Sequence, residues 1–168
     1  MEGVDRWIPY SAMTNPGRHA SAIAVLPTEV GALIQIIQGV LVHSDWITEY
    51  GLDETILNST ARTTLPIAER LDDVLRRDPR PLNIARSADK RSVGTCRDYA
   101  LFMIEALRRL GIAARFVSGY LAMPADGAHG YVGGGSTHAW VQVYLPSAGW
   151  IEFDPTNGIV GTRDLIRV

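Results

Sequence analysis

Apolar residues recur most clearly at helical spacing in the stretch TCRDYALFMIEALRRLG, residues 95–111. One stripe of this segment comprises Cys96, Tyr99, Met103, Leu107 and Leu110, and residues at that spacing share one face of a helix. Thr95 is the predicted N-cap, with Asp98 placed to complete a capping box. Gly111 is the predicted C-terminal stop. The pattern therefore predicts a helix that begins at the single cysteine of the chain.

Two further helices are predicted upstream. The first follows a predicted N-cap at Thr28. Its apolar residues recur at helical spacing and are Leu33, Ile36, Ile37, Val40 and Leu41. The segment SDWITEYG either extends this helix or starts another, with Gly51 as the stop. The other helix is predicted over LPIAERLDDVLRR, with Pro66 just inside its start. Residues 1–27, with prolines at 9, 16 and 27, are predicted to form an irregular arm, and residues 79–94 a surface loop.

The C-terminal half predicts strands. The runs AARFVSGYLAM, THAWVQVYL and GWIEFD have strand character, and PSAG between the last two suits a hairpin. The loop PADGAHGYVGGGS is rich in glycine but lacks the Gly-Lys-Ser/Thr ending of a phosphate-binding loop. Helices followed by strands predict an α+β fold in which the cysteine helix packs on an antiparallel sheet. We expect residues 28–168 to form one core domain.

The composition and net charge of the chain argue against several classes of partner and of metal site. The chain has 168 residues, a net charge of -2 and one cysteine, so nucleic acid and anionic membranes are not expected partners. A single cysteine excludes an internal disulfide and a multi-cysteine zinc site, and the histidines lack the spacing of a zinc helix. We therefore expect no metal or cofactor. The absence of a signal-like N-terminus and of disulfides predicts a cytoplasmic location, and the oligomeric state is left open.

Cys96 has two interpretations. A lone cysteine is commonly a small buried hydrophobic residue. At the first turn of a helix, however, free backbone N–H groups and the helix dipole stabilise a thiolate, which is the form that acts as a nucleophile. Its own backbone N–H could also stabilise an oxyanion during acyl transfer.

His138 and Asp154 are the candidate partners of Cys96. His138 begins a strand after the glycine-rich loop, where an imidazole could act as a base, and Asp154 ends the next strand, where it could orient that imidazole. The alternatives are a histidine bonded to backbone at a strand edge and an ordinary turn aspartate. A hairpin that pairs Leu145 with Trp150 would need a bulge or a longer loop to bring the two together. The other histidines, His19, His43 and His129, are weaker candidates.

The three motifs together resemble the core of bacterial transglutaminase-like proteins of the papain-like thiol enzyme superfamily. The matching segments are GTCRDYALFMIEALRRLGIAARFVSGYL and HAWVQVYLPSAGWIEFDPTNG. The resemblance implies that Cys96 is the nucleophile, His138 the general base and later acid, and Asp154 the orienting carboxylate. It also implies a second oxyanion donor upstream of the cysteine, for which Trp46 and the basic loop are candidates.

The resemblance implies thiolate attack on an amide carbonyl and transfer of the acyl group to water or to an amine. Hydrolysis of a peptide or related amide is the preferred interpretation, and protein-glutamine transamidation is the alternative. A non-catalytic binding module with the same fold is a third hypothesis. The predicted substrate-binding residues are Trp46, Trp140, His129 and Tyr131, and the predicted partner is a peptide or protein amide.

Overall fold

A computed structural model of the protein describes residues 3–57, 62–122, 131–132, 135–161 and 164–168. Its helices are α1 (Ala20–Ala24), α2 (Val30–Val40), α3 (Ile67–Arg77) and α4 (Cys96–Arg108). Its strands are β1 (Leu41–His43), β2 (Ser92–Gly94), β3 (Ala114–Leu121), β4 (Thr137–Leu145), β5 (Gly149–Asp154), β6 (Ile159–Val160) and β7 (Leu165–Arg167). The predicted α+β fold is confirmed. In the described ranges no helix is both long and apolar enough to cross a bilayer.

The main sheet is antiparallel and supports the cysteine helix. Its strand order is β6-β5-β4-β3-β7. Phe102 and Met103 of α4 are fully buried in the same cluster as Val141 of β4 and Phe153 of β5. Burying one such side chain contributes about 1.5–3 kcal/mol relative to leaving it exposed. This layer fixes the start of α4 against the start of β4, where the candidate site lies.

The hairpin between β4 and β5 needs no bulge. Leu145 pairs with Gly149, and Gly149 has a positive φ of 77° that suits the end of a short loop. A pairing of Leu145 with Trp150 would have required a bulge or a longer loop, and the observed register differs from that pairing by one residue. Because Val141 lies opposite Phe153, His138 and Asp154 share one face as a diagonal pair.

The predicted irregular arm contains regular structure. Short 3₁₀ turns cover Asp5–Trp7 and Gly17–His19, and α1 follows. Ile23 of α1 is buried in the main core, so this part of the arm packs against the rest of the chain. A five-residue helix between prolines is too short to show a helical period. The proposed boundary at residues 27 and 28 stays a prediction.

A small parallel pair of strands was missed. β1 pairs with β2, and the partner residues Val42 and Val93 are both buried. The expectation that residues 79–94 form a surface loop was therefore wrong for β2, which lies at its end, and also for the buried Arg86. Strands of three residues carry no readable alternation, which explains the miss.

Two helix boundaries also differ from the sequence pattern. α2 begins at Val30 after Glu29, which makes no side-chain cap, so the predicted Thr28 N-cap was wrong. The segment SDWITEYG forms two separate 3₁₀ turns, Ser44–Trp46 and Thr48–Tyr50. Gly51 ends the second turn with a left-handed φ of 69°, as predicted for a stop.

A buried ion pair joins α3 to the start of α4. Asp98 accepts hydrogen bonds from the Arg70 Nε and Nη2 at 3.0 and 2.9 Å and from the Thr95 backbone N–H at 2.8 Å. Arg70 also donates to the carbonyl of Val93 at 2.7 Å. A Cβ on Gly94 would lie 3.0 Å from the Asp98 carboxylate, so glycine permits this close approach. Asp98 therefore fixes the positions of Gly94 and Thr95, which precede Cys96.

Candidate active site

Cys96 is the first residue of α4 and is half-buried. The capping interaction of Asp98 with the Thr95 N–H fixes the preceding residue, as the sequence predicted. The sulfur therefore lies at the positive end of a 13-residue helix, where the dipole favours a thiolate.

His138 and Asp154 form a buried pair. Nε2 of His138 lies 2.8 Å from Oδ2 of Asp154, and both side chains are fully buried. The Asp154 carboxylate also accepts from the Thr156 N–H at 2.9 Å and from Nδ2 of Asn157 at 2.7 Å. These donors hold the carboxylate in one orientation, and the carboxylate in turn holds the imidazole ring.

Cys96 and His138 line the same cavity, which has a volume of about 230 Å³. With Nε2 of His138 occupied by Asp154, the buried Nδ1 has no hydrogen-bond partner of normal geometry within the described part of the chain. Nδ1 is therefore the nitrogen available to the thiol. The remaining lining is polar and comprises His43, Ser44, Asp45, Arg62, Thr95, Arg97, Ser136 and Thr137.

The pKa values of the thiol and the imidazole are displaced in opposite directions. Burial raises the pKa of Cys96, but hydrogen bonding and positive charge from His138 and His43 outweigh burial and lower that pKa from 9.0 to about 6. Burial lowers the pKa of His138, but Asp154 and Cys96 outweigh it and raise that pKa from 6.5 to about 9. Between these values the pair favours thiolate and imidazolium.

His43 is a site residue that the sequence analysis set aside. It ends β1, and its Nε2 lies 3.0 Å from the backbone nitrogen of Cys96, while its Nδ1 accepts from the Asp45 N–H at 3.2 Å. A neutral imidazole has one acceptor nitrogen. Because the Cys96 N–H also points at Nε2, a neutral His43 accepts from only one of the two N–H groups at a time, and its ring orients the backbone of Cys96. The signal was hidden because the parallel pair of strands that brings His43 to Cys96 has no sequence pattern.

Asn157 is a second residue that was not singled out, although it lies in the DPTNG motif. Its Nδ2 donates to Asp154 and to the carbonyl of Val132, and its Oδ1 accepts from the Val132 N–H at 2.7 Å. Asn157 thus links a residue of the glycine-rich segment to the carboxylate that holds His138.

Of the predicted substrate-binding residues, the three that the structure describes lie in two places. Trp46 lines a neighbouring cavity of about 240 Å³ together with His43 and Asn157. Trp140 is fully buried and stacks on His138 with ring centroids 6.1 Å apart, and Tyr131 packs beside it. His129 lies outside the described residues. The substrate-binding role of all four stays a prediction.

No cluster of histidine, cysteine and carboxylate side chains that could hold a metal ion occurs among the residues that the structure describes.

The family model that describes the transglutaminase-like superfamily matches residues 60–155, more than half of the chain. The protein belongs to the transglutaminase-like superfamily. The match includes all of α4, β3, β4 and β5, and with them Cys96, His138 and Asp154.

Relatives of this superfamily member are bacterial. An uncharacterized protein of Mycobacterium leprae is 40% identical over 75 residues, which cover 45% of this chain and 26% of that protein. A protein-glutamine gamma-glutamyltransferase of Pseudomonas aeruginosa is 40% identical over 77 residues, covering 45% of this chain and 11% of that protein. The chain thus matches about a quarter or less of the length of these curated relatives.

A solved structure shares the fold. A protein of Cytophaga hutchinsonii that bears the provisional name cysteine protease aligns with 100% of this chain and 47% of its own, at a TM-score of 0.53 and 20% identity. This likeness confirms the fold of the transglutaminase-like core and says nothing of the reaction.

Proposed function

We propose that the protein is a cysteine-dependent acyl-transfer enzyme in which Cys96, His138 and Asp154 act together. One observation carries this proposal. Cys96 and His138 line one cavity, and His138 is held at 2.8 Å by a buried Asp154 that leaves its second ring nitrogen for the thiol. Membership of the transglutaminase-like superfamily supports the same assignment.

The proposed reaction begins with attack of the Cys96 thiolate on an amide carbonyl. The sulfur–carbon bond forms, and the negative charge moves to the carbonyl oxygen. The imidazolium of His138 then gives its proton to the leaving amine, so the carbon–nitrogen bond breaks and a thioester remains. In the second half of the reaction, neutral His138 takes a proton from water as the water oxygen attacks the thioester carbon. The carbon–sulfur bond then breaks, the Cys96 thiolate leaves beside the imidazolium, and the acid is released.

The Cys96 backbone N–H is a proposed oxyanion donor, and Trp46 and the basic loop stay the candidates for the second donor. In the structure this N–H donates to Nε2 of His43 at 3.0 Å, so His43 holds the N–H in orientation beside the position where the carbonyl oxygen would develop charge. A preorganised donor at that point stabilises the transition state.

Water is the preferred acyl acceptor, so we propose hydrolysis of a peptide or related amide. The cavity at Cys96 is lined by hydroxyl and charged side chains and therefore admits water. Transamidation is the second candidate, because the 40% identical relative from Pseudomonas aeruginosa is named as a protein-glutamine gamma-glutamyltransferase. The cytoplasmic location and the absence of nucleic-acid and membrane partners stay predictions.

One experiment separates these functions. The protein is incubated with a glutamine-containing peptide and a labelled primary amine, and the products are identified by mass spectrometry. A hydrolase yields the free acid and a transient acyl adduct on Cys96, whereas incorporation of the amine shows a transamidase. Cys96→Ala should abolish both products. If wild-type protein forms neither product nor adduct with any of a panel of peptide amides, the enzyme proposal fails in favour of a binding module.

A further inference from the structure

A second cavity lies at the end of α4 away from Cys96 and has a volume of about 510 Å³. Its walls come from α4, from the first residues of β3 and from residues 6–14, and we name it the arm cavity. It shares no lining residue with the cavity at Cys96. The proposed acyl-transfer chemistry therefore does not use it.

The lining of the arm cavity is largely apolar. Its hydrophobic lining residues are Trp7, Pro9, Tyr10, Met13, Leu101, Ile104, Ala114 and Phe116. The volume falls within the range of about 300–1,000 Å³ that small-molecule sites occupy, and such sites combine apolar walls with a few polar groups. The arm cavity therefore suits a ligand with a hydrophobic body the size of one or two rings.

The charged side chains that line the arm cavity are all positive among the residues that the structure describes. Arg6, Arg108 and Arg115 line it, and the described lining contains no carboxylate. Arg115 donates from Nε to Gln142 at 2.8 Å and has its guanidinium 4.2 Å from the ring centroid of Trp150, but it forms no ion pair with a described carboxylate. The cavity thus carries positive charge beside an apolar surface.

Arg108 provides a second, independent indication that the arm cavity holds a ligand. Its side chain is buried, with only 6% of the residue exposed, and its Nη2 donates to Glu105 at 2.7 Å and to the Thr14 carbonyl at 3.2 Å. Its Nε and Nη1 are buried and have no hydrogen-bond partner among the residues that the structure describes. Unsatisfied buried donors are rare and costly, because each loses its hydrogen bonds to water.

Tyr10 covers the guanidinium of Arg108. The two groups stack at 4.5 Å, while 58% of Tyr10 is exposed. A rotation of this exposed ring would open Arg108 to the cavity without displacing any buried side chain. An anionic group could then accept from the two orphaned donors.

We infer that the arm cavity binds a small organic acid. The hydrophobic body of the ligand would lie against Trp7, Met13 and Phe116, and its carboxylate would lie between Arg108 and Arg115. The charge complementarity and the apolar walls together define this class of ligand, because a carboxylate forms stronger, charge-assisted hydrogen bonds with the arginine donors than a neutral acceptor does.

Isothermal titration calorimetry with two matched probes tests this inference. The probes are 2-naphthoate, which has an aromatic body and a carboxylate, and 2-naphthamide, which has the same body without charge. We expect 2-naphthoate to bind one site, and 2-naphthamide to bind it at least about tenfold more weakly, since a hydrogen bond to a charged group is lost.

Three variants make the test specific. Arg115→Gln should weaken 2-naphthoate about tenfold and leave 2-naphthamide unchanged, whereas Met13→Trp should fill the cavity and abolish both. Arg76→Gln, at an exposed arginine outside the lining, is the matched control and should change nothing. Arg108 is left intact, because its removal would strand the buried Glu105.

Cys96 alkylation by iodoacetamide separates this site from the active site. Saturating 2-naphthoate should leave the alkylation rate unchanged, and protection of Cys96 would place the acid in the wrong cavity and overturn the inference. Absence of binding at 1 mM 2-naphthoate, equal affinity for both probes, or insensitivity to Arg115→Gln would each overturn it as well. None of these outcomes depends on amide turnover.

Discussion

The two ends of α4 carry buried charged groups in contrasting surroundings. At the first turn, Cys96 lies in a polar cavity of about 230 Å³ beside the His138–Asp154 pair. In the last turns, the Glu105–Arg108 pair lies against an apolar cavity of about 510 Å³. Both pairs are nearly inaccessible to solvent, so burial alone does not distinguish the proposed active site from the arm cavity.

The two ends of α4 differ in the chemical groups that lie beside the His138 ring and beside the Arg108 guanidinium. At the first turn, the His138 nitrogen that Asp154 does not occupy shares a cavity with a thiol whose pKa is lowered to about 6, which suits the proposed transfer of a proton between them. At the other end, Nε and Nη1 of Arg108 are donors only, which suits the proposed binding of an anion. The chemistry of the partner, rather than the burial, distinguishes a reactive site from a binding site.

Removal of the His138 ring should have the largest effect on activity. His138→Ala should lower the rate of amide turnover by about 10³-fold or more, because both the thiolate and the proton donor are lost. Steady-state kinetics with the substrate identified by mass spectrometry measure this effect. His19→Ala, at a histidine that bonds Asp72 near the surface, is the control and should retain full turnover. Equal losses in both variants would contradict the assignment.

Asp98→Ala should have the largest effect on stability. Breaking the buried pair with Arg70 leaves an uncompensated charge, so the free energy of unfolding should fall by about 3–5 kcal/mol. Urea denaturation measures this value. Asp72→Ala removes the partner of the exposed Arg18 and should cost about 1 kcal/mol or less. A similar loss in the two variants would show that Asp98 does not hold the start of α4.

Glu105 should make stability depend on pH. Burial raises the pKa of its carboxyl from 4.5 to about 7, although Arg108 opposes this rise. The folded state therefore binds the proton more tightly than the unfolded chain, and this contribution to stability is lost as pH rises from about 4.5 through about 7. The loss should reach at most about 3 kcal/mol. Urea denaturation at pH 5 and pH 8 should show a smaller difference in Glu105→Gln than in the wild type, and an unchanged difference would refute this prediction.

Asn157→Ala should have the smallest effect of the series. It removes one donor to the Asp154 carboxylate, while the Thr156 N–H remains. Loss of one hydrogen bond to a charged group is expected to lower kcat about tenfold, with little change in KM, because the imidazole is less firmly oriented. Steady-state kinetics of Asn157→Ala and Asn157→Gln test this, since the longer amide can reach the carboxylate and should recover part of the loss.

The parts of the fold that were predictable have long, regular patterns. The stripe from Cys96 to Leu110 predicted α4, and the runs around Val117, Val141 and Phe153 predicted β3, β4 and β5. The burial of β3 partly alternates, whereas β4 is buried at six consecutive positions and α4 at every position from Asp98 to Arg108. Long continuous runs of this kind, bounded by glycine or proline, are readable in the sequence. The candidate residues Cys96, His138 and Asp154 lie at their ends and were predictable with them.

The parts that were not predictable depend on contacts between distant short segments. His43 reaches Cys96 because three residues of β1 pair with three residues of β2, and neither run shows a period. The Arg70–Asp98 pair joins two helices across 28 positions, and a charged residue on an amphipathic helix ordinarily predicts an exposed face. Such contacts are decided by tertiary packing, which local sequence patterns do not encode.

The pH dependence of Cys96 alkylation tests the central claim most directly. The rate of modification by iodoacetamide is measured by mass spectrometry from pH 4.5 to pH 10 in the wild type and in His138→Gln. We expect a wild-type midpoint near pH 6 and a shift of that midpoint above pH 8 in the variant, because the imidazole that stabilises the thiolate is absent. A wild-type midpoint near 9, or the same midpoint in both proteins, would contradict the assignment of Cys96 and His138 as a catalytic pair.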